Sequence, residues 1–106
     1  MTDWVEVAAE GAIAEGGHVV AAVDGVMIAV FNLGGEYFAI EDVCTHDGSV
    51  IAGGCVFGDQ IECPRHGARF SIRTGEVTAP PAYEPIDTFP VRVSNGMIQV
   101  RDDRWD

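Results

Sequence analysis

Apolar and polar positions along the chain fall into short runs punctuated by glycine and proline, and no stretch sustains a helical period. Glu6-Val7-Ala8-Ala9-Glu10-Gly11-Ala12-Ile13 supports at most a helical turn or two. The remaining runs read as strands. His18-Val19-Val20-Ala21-Ala22-Val23 and Val26-Met27-Ile28-Ala29-Val30-Phe31 flank Asp24-Gly25, a dipeptide that suits a two-residue hairpin turn. Glu36-Tyr37-Phe38-Ala39-Ile40 follows a Gly34-Gly35 turn. Pro90-Val91-Arg92-Val93 and Met97-Ile98-Gln99-Val100 flank Ser94-Asn95-Gly96, a second strong hairpin signal. Short strands at this spacing predict an all-β fold, an antiparallel sandwich or barrel.

Between Val43 and Pro85 the alternation weakens, and glycine, proline, cysteine and histidine concentrate. This stretch, about 43–85, reads as a loop-rich insertion mounted on the β base. Rigid scaffolds often carry their chemistry on such loops. The whole of 1–106 reads as a single domain, as its 106 residues would suggest.

Composition adds a charge constraint. Seventeen acidic residues face six basic ones, all arginine, for a net charge of −11. Such a surface argues against binding nucleic acid or an anionic membrane. It suits a soluble protein, expected to be monomeric, that docks on a basic partner. No signal peptide is visible at the N-terminus, and no run approaches the roughly 20 apolar residues of a transmembrane helix. The simplest reading is cytoplasmic. In that compartment three cysteines are more readily ligands, catalysts or buried apolar residues than disulfide partners.

The candidate chemistry lies in Cys44-Thr45-His46 and Cys63-Pro64-Arg65-His66, separated by residues 47–62. Each half offers one thiolate and one imidazole, with a glycine soon after, Gly48 and Gly67. Two cysteines and two histidines can bind zinc. Zinc-finger spacing, however, pairs Cys with Cys and His with His. In a Rieske [2Fe–2S] centre two histidines replace two cysteines on one iron, so each loop can give one ligand to each metal. The C-x-H…C-x-x-H pattern fits such a dinuclear centre better.

With these motifs the sequence resembles the Rieske ferredoxins, especially the small ones serving bacterial ring-hydroxylating dioxygenases. The likeness runs through Cys44-Thr45-His46-Asp47-Gly48, Cys63-Pro64-Arg65-His66-Gly67, Phe70-Ser71-Ile72-Arg73-Thr74-Gly75-Glu76 and Ala79-Pro80-Pro81-Ala82-Tyr83. The resemblance implies a Rieske fold: an antiparallel base with a smaller cluster-binding subdomain. It implies one [2Fe–2S] cluster, with Cys44 and Cys63 on the buried iron and His46 and His66 on the outer iron. Residues 79–83 are similar to the family's third loop, which packs over the cluster. A flavin-dependent ferredoxin reductase and a terminal oxygenase are the implied partners, docking near His46 and His66. The chain itself would be an electron carrier and not an enzyme; no acid–base pair or nucleophile can be placed in it.

The resemblance also bears on reduction potential. With two thiolates and two neutral imidazoles the oxidised site is formally uncharged, against −2 for four thiolates, so Rieske centres accept an electron more readily. High-potential members carry an extra cysteine in each ligand loop, joined by a disulfide; the matching positions here are Ser49 and Arg65. They also place a serine and a tyrosine near the cluster sulfurs, where this chain has Ala68 and Phe70. The expected potential is therefore at the low end of the Rieske range, on the order of −150 mV.

Other residues are expected to be structural. Cys55 reads as a small buried apolar residue, His18 as an ordinary sheet histidine and Trp4 as core. Trp105 reads as exposed or disordered, and 102–106 as a solvated end. Three competing functions remain: a small subunit of another cytoplasmic oxidoreductase of the nitrite-reductase kind, a zinc-stabilised interaction module, and an iron–sulfur redox sensor. Inorganic sulfide separates the zinc module from the rest.

Overall fold

A computed structural model describes residues 3–45 and 48–104. Among the described residues there are eleven strands in three antiparallel sheets and no helix. The strands are β1 (Val5–Ala9), β2 (His18–Val23), β3 (Val26–Leu33), β4 (Glu36–Glu41), β5 (Val56–Phe57), β6 (Gln60–Glu62), β7 (Arg69–Ser71), β8 (Val77–Ala79), β9 (Thr88–Phe89), β10 (Val91–Ser94) and β11 (Met97–Val100). The first sheet has the order β1-β11-β10, the second β2-β3-β4-β9 and the third β5-β6-β7-β8.

Hairpin chemistry sets the registers. Val23 faces Val26 across Asp24-Gly25, and Ser94 faces Met97 across Asn95-Gly96. Asp24 and Asn95 adopt φ of 50° and 53°, the left-handed conformation that Asp and Asn tolerate best among residues with a Cβ.

The second sheet is the middle layer, and its two faces build two cores. On β3, Ile28 and Val30 point into a base core with Ile13, Val23, Ala39, Phe89, Ile98 and Val100. Ala29, Phe31 and Leu33, the alternate positions, enter a second core with Ile40, Ile51, Ile61, Phe70, Cys44 and Cys63. The period-2 geometry of a strand performs this division. It also explains why 28–33 reads as a nearly unbroken apolar run: both faces are covered.

Segment 6–13 is not helical. Its first half is β1, paired with β11, and a register slip between Glu6 and Ala8 lets Val5, Val7 and Ala8 all pack on the base core. The partner strand decides this outcome, and it lies ninety residues away in sequence. Past β1, Ile13 is buried and its carbonyl accepts a hydrogen bond from Asn32 Nδ2 at 2.9 Å. The Asn32 backbone closes on Gly16 and Gly17, so one buried asparagine pins the returning loop.

Three further expectations meet different outcomes. His18 opens β2, exposed, with its ring 5.4 Å from that of Phe31, as a sheet histidine should be. Trp4 is half-buried rather than core: the Arg92 guanidinium sits 4.3 Å from its ring, making the indole an edge cover. The chain end is not simply solvated. Asp102 is buried and held by Arg104 through two hydrogen bonds of 3.0 and 2.9 Å. Trp105 lies outside the described residues. A single aspartate and arginine two residues apart carry no sequence signal for this; the buried position of Asp102 creates it.

Candidate metal centre

Two loops, 44–49 and 63–68, close in the same way. The Cys44 amide donates to the Ser49 carbonyl at 2.7 Å, and the Gly48 amide donates back to the Cys44 carbonyl at 2.7 Å. The Cys63 amide donates to the Ala68 carbonyl at 2.7 Å, and the Gly67 amide to the Cys63 carbonyl at 3.1 Å. In each loop the returning residue is a glycine four positions on, with φ of 76° at Gly48 and 79° at Gly67. That conformation strains any residue with a Cβ, which is why glycine follows each histidine. The pairing pattern is identical although the histidines stand at different offsets, two and three residues after the cysteine.

The loops present their cysteines inward. Cys44 is fully buried and Cys63 is 1% exposed, and both belong to the second core. That core also takes Ala68 and Phe70 from the second loop and β7, and Ala82 from the proline-bearing segment. His66, by contrast, is exposed, with Pro64 and Arg65. Cys44 and Cys63 are thus buried while His66 is exposed. His46 and Asp47 lie outside the described residues. Among the described residues no three of His, Cys, Asp and Glu gather as a ligand set.

Side chains that the sequence did not single out brace this end. The Asp42 carboxylate accepts from the amides of Ile51 at 3.1 Å and Ala52 at 2.7 Å, bracketing the whole first loop. Thr45 Oγ1 donates to the Glu84 carbonyl at 2.6 Å, tying the first loop to the 79–85 segment. Glu62 and Arg69, opposite one another on β6 and β7, form a 3.0 Å ion pair at the mouth of the second loop. Arg69 also covers the Phe57 ring at 4.5 Å. Gly54 lies so close to the Glu62 carbonyl that a Cβ there would run into it. The sequence alone marks none of these, because each depends on tertiary placement.

Tyr83, next to buried Ala82, is 88% exposed, and Val50 is exposed beside the first loop. Cys55 is exposed, against the expectation that it is buried. It precedes β5 and its carbonyl accepts from the Glu62 amide, so its backbone is used while its thiol faces solvent.

The family profile described as Rieske [2Fe-2S] domain matches residues 3–90. The chain belongs to the Rieske [2Fe–2S] family. Two relatives locate it within that family. The biphenyl dioxygenase ferredoxin subunit of Pseudomonas sp. (strain KKS102) is 44% identical over 66% of this chain and 65% of its own length. The ferredoxin component of the naphthalene 1,2-dioxygenase/salicylate 5-hydroxylase systems of Ralstonia sp. is 33% identical over 93% and 95%. A chain in the solved complex of reduced oxygenase and oxidised ferredoxin in carbazole 1,9a-dioxygenase superposes with a TM-score of 0.87 at 34% identity, covering 92% of this chain and 91% of that one.

The residues present fit a Rieske group. Two soft donors are shielded from water in one apolar core, each loop carries a histidine in its sequence, and His66 is exposed.

Proposed function

We propose that this chain is a one-electron carrier between a flavin-dependent reductase and the terminal oxygenase of an aromatic ring-hydroxylating dioxygenase system. The observation that carries the reading is the pair of identically closed loops that bury Cys44 and Cys63 in one core. Its relatives, named as ferredoxin components of dioxygenases, support the assignment to this kind of system. The complex of an oxygenase with a ferredoxin of the same fold supports the choice of acceptor.

In this reading Cys44 and Cys63 bind one iron and His46 and His66 the other, within a cluster-binding subdomain spanning about 43–85. When bound, the cluster supplies a site that takes up and releases one electron. The chain's own residues do the rest. The apolar wall of Ile51, Ala68, Phe70 and Ala82 excludes water from the thiolates. Exposed His66 offers an edge through which an electron can leave towards a partner docked over it. Arg65, its exposed neighbour in the chain, borders that edge. No helix of the described residues is long and apolar enough to cross a membrane, and we place the carrier in the cytoplasm as a monomer.

The test is chemical analysis of the pure protein: iron, zinc and acid-labile sulfide, with the visible spectrum before and after dithionite. About two irons and two sulfides per chain, with absorption that bleaches on reduction, are expected. One zinc, no sulfide and no colour in anaerobically prepared protein would overturn the reading. Docking is tested next by electron-transfer rates to the oxygenase. Arg65 or Asp47 substitutions should slow transfer with the cluster retained, and unchanged rates for both would exclude docking there.

A further inference from the structure

The first ligand loop leaves β4 at Glu41, three residues before Cys44. The stem of this loop is tied by backbone bonds: the Glu41 amide donates to the Asp87 carbonyl at 2.9 Å and the Asp42 amide to the Met27 carbonyl at 2.9 Å. The Asp42 carboxylate then closes the loop's far side on Ile51 and Ala52. The Arg104 side chain reaches this stem. The Arg104 guanidinium donates from Nε and Nη2 to the two carboxylate oxygens of Asp102, and from Nη1 to Asp87 at 3.0 Å and to Glu41 at 3.5 Å. It also lies 5.1 Å from the Phe89 ring. Asp102 is itself anchored, two residues past the end of β11 and 2% exposed. The family match ends at residue 90, so Asp102 and Arg104 lie beyond the matched stretch while Glu41 and Asp87 lie within it.

We propose that Arg104 is a positioning residue for the metal centre, a clamp that joins buried Asp102 to Asp87 and Glu41 and holds the stem of the Cys44 loop closed. The planar fork of arginine suits this task, because it satisfies one carboxylate with two parallel bonds and has a further nitrogen left for a second. Three carboxylates around one cation would otherwise repel one another; the cation makes the stem the point where they converge. The clamp acts on the loop through the Asp87–Glu41 backbone bond, and so on the geometry in which Cys44 is presented. This rests on Cys44 being a cluster ligand. Iron and sulfide are therefore measured in the unmutated protein first, and their absence would overturn the proposed function before any variant is compared.

The experiment compares holoprotein carrying Arg104→Met, Arg104→Lys or Asp87→Ala with the parent. Two readouts are taken: hydrogen exchange by peptide mass spectrometry, and the rate at which visible absorption is lost in excess chelator. Asp87 is exposed, so its substitution keeps the Asp102–Arg104 pair and keeps the test open if Arg104→Met fails to fold. The expected result is exchange about tenfold faster over 42–52 and cluster loss faster by a similar factor, with peptides of β2 and β3 within about twofold of the parent. Arg104→Lys, which keeps the charge without the fork, should fall between. Equal acceleration in β2–β3 and in 42–52 would make the arginine a general stabiliser and overturn the proposal. No acceleration over 42–52 in Asp87→Ala or Arg104→Met would overturn it as well.

Discussion

The two ends of the molecule are held together by different means. The base uses strands of four to eight residues over most of its extent, whose ladders and alternating side chains enclose Ile28, Val30, Ile98 and Val100. The ligand end has strands of only two or three residues. Its order comes from loop closure, from the Asp42 bracket, and from bonds such as Thr45 to Glu84. Charge divides in the same way. Residues 43–85 hold five acidic residues against three arginines, while the other 63 hold twelve against three. The base thus carries most of the negative charge, and the ligand end presents a nearly balanced surface around His66. Such a division keeps most of the self-repulsion away from the surface proposed to meet a partner. It also implies that the ligand end depends on its bound group for order to a degree that the base does not.

Substituting a proposed ligand breaks the comparison most severely. Cys63→Ser takes away a buried thiol donor, and the visible absorption of the cluster should be lost entirely. Hydrogen exchange over 43–85 should rise many-fold, while peptides of β2 and β3 keep their protection. Loss of protection in both would show that the two cores unfold as one unit, and the contrast drawn between them would fail.

Much of this division could be read from the sequence, for physical reasons that differ by region. The hairpins at Asp24-Gly25 and Asn95-Gly96 were legible because the turn chemistry is local. Strand β1 was not, because its pairing with β11 is a long-range choice. Strands β5 to β8 are too short for alternation to show at all. The ligand loops stood out through residue type, cysteine and histidine with glycine after, which needs no knowledge of the fold. Exposed Cys55 and the Asp102–Arg104 clamp were misjudged because burial of one residue depends on what packs over it.

A matched pair of cavities sharpens the comparison. Ile98 and Ile61 are both fully buried, one in each core. Replacing either by alanine should cost about 3 kcal/mol, from lost transfer energy and the space left behind. The destinations should differ. Ile98→Ala should lower the urea midpoint of the base by its full amount. Ile61→Ala should chiefly speed cluster loss, leaving base protection close to the parent. Identical behaviour of the two variants in both measurements would refute the distinction.

Acid offers a weaker lever, acting on the joint between the ends. Hydrogen bonding from Arg104 holds the Asp102 carboxyl below the ordinary carboxylate range, against the opposing effect of burial. A carboxylate whose pKa falls on folding stabilises the native state fully above its unfolded value, near 3.9, and loses that contribution as pH drops through the folded one. Asp102→Asn should therefore cost about 1.5–3 kcal/mol at neutral pH, the range for a hydrogen bond to a charged group. The difference from the parent should shrink below about pH 4. Urea midpoints measured between pH 7 and 3 on both proteins check this, and a difference that stays constant across that range would show that the Asp102 charge is not what the arginine holds.

The smallest effect is electronic and confined to the ligand end. Phe70, in β7, is fully buried in the core that contains Cys44 and Cys63, and Ala68 beside it closes the second loop through its carbonyl. Neither side chain can donate a hydrogen bond, so a cluster held here would keep a low potential, on the order of −150 mV. Phe70→Tyr adds one hydroxyl at that position. If it donates to a cluster sulfur, it favours the more negative, reduced state. A net hydrogen bond of about 1 kcal/mol corresponds to about 40 mV in a one-electron couple. A dye-mediated titration followed by visible circular dichroism should show the potential rising by that amount, with the urea midpoint of the base unmoved. A parent potential above zero would refute the low-potential assignment directly. An unchanged potential in the variant, with the hydroxyl seen bonded to sulfur, would show that donors near Phe70 do not set it.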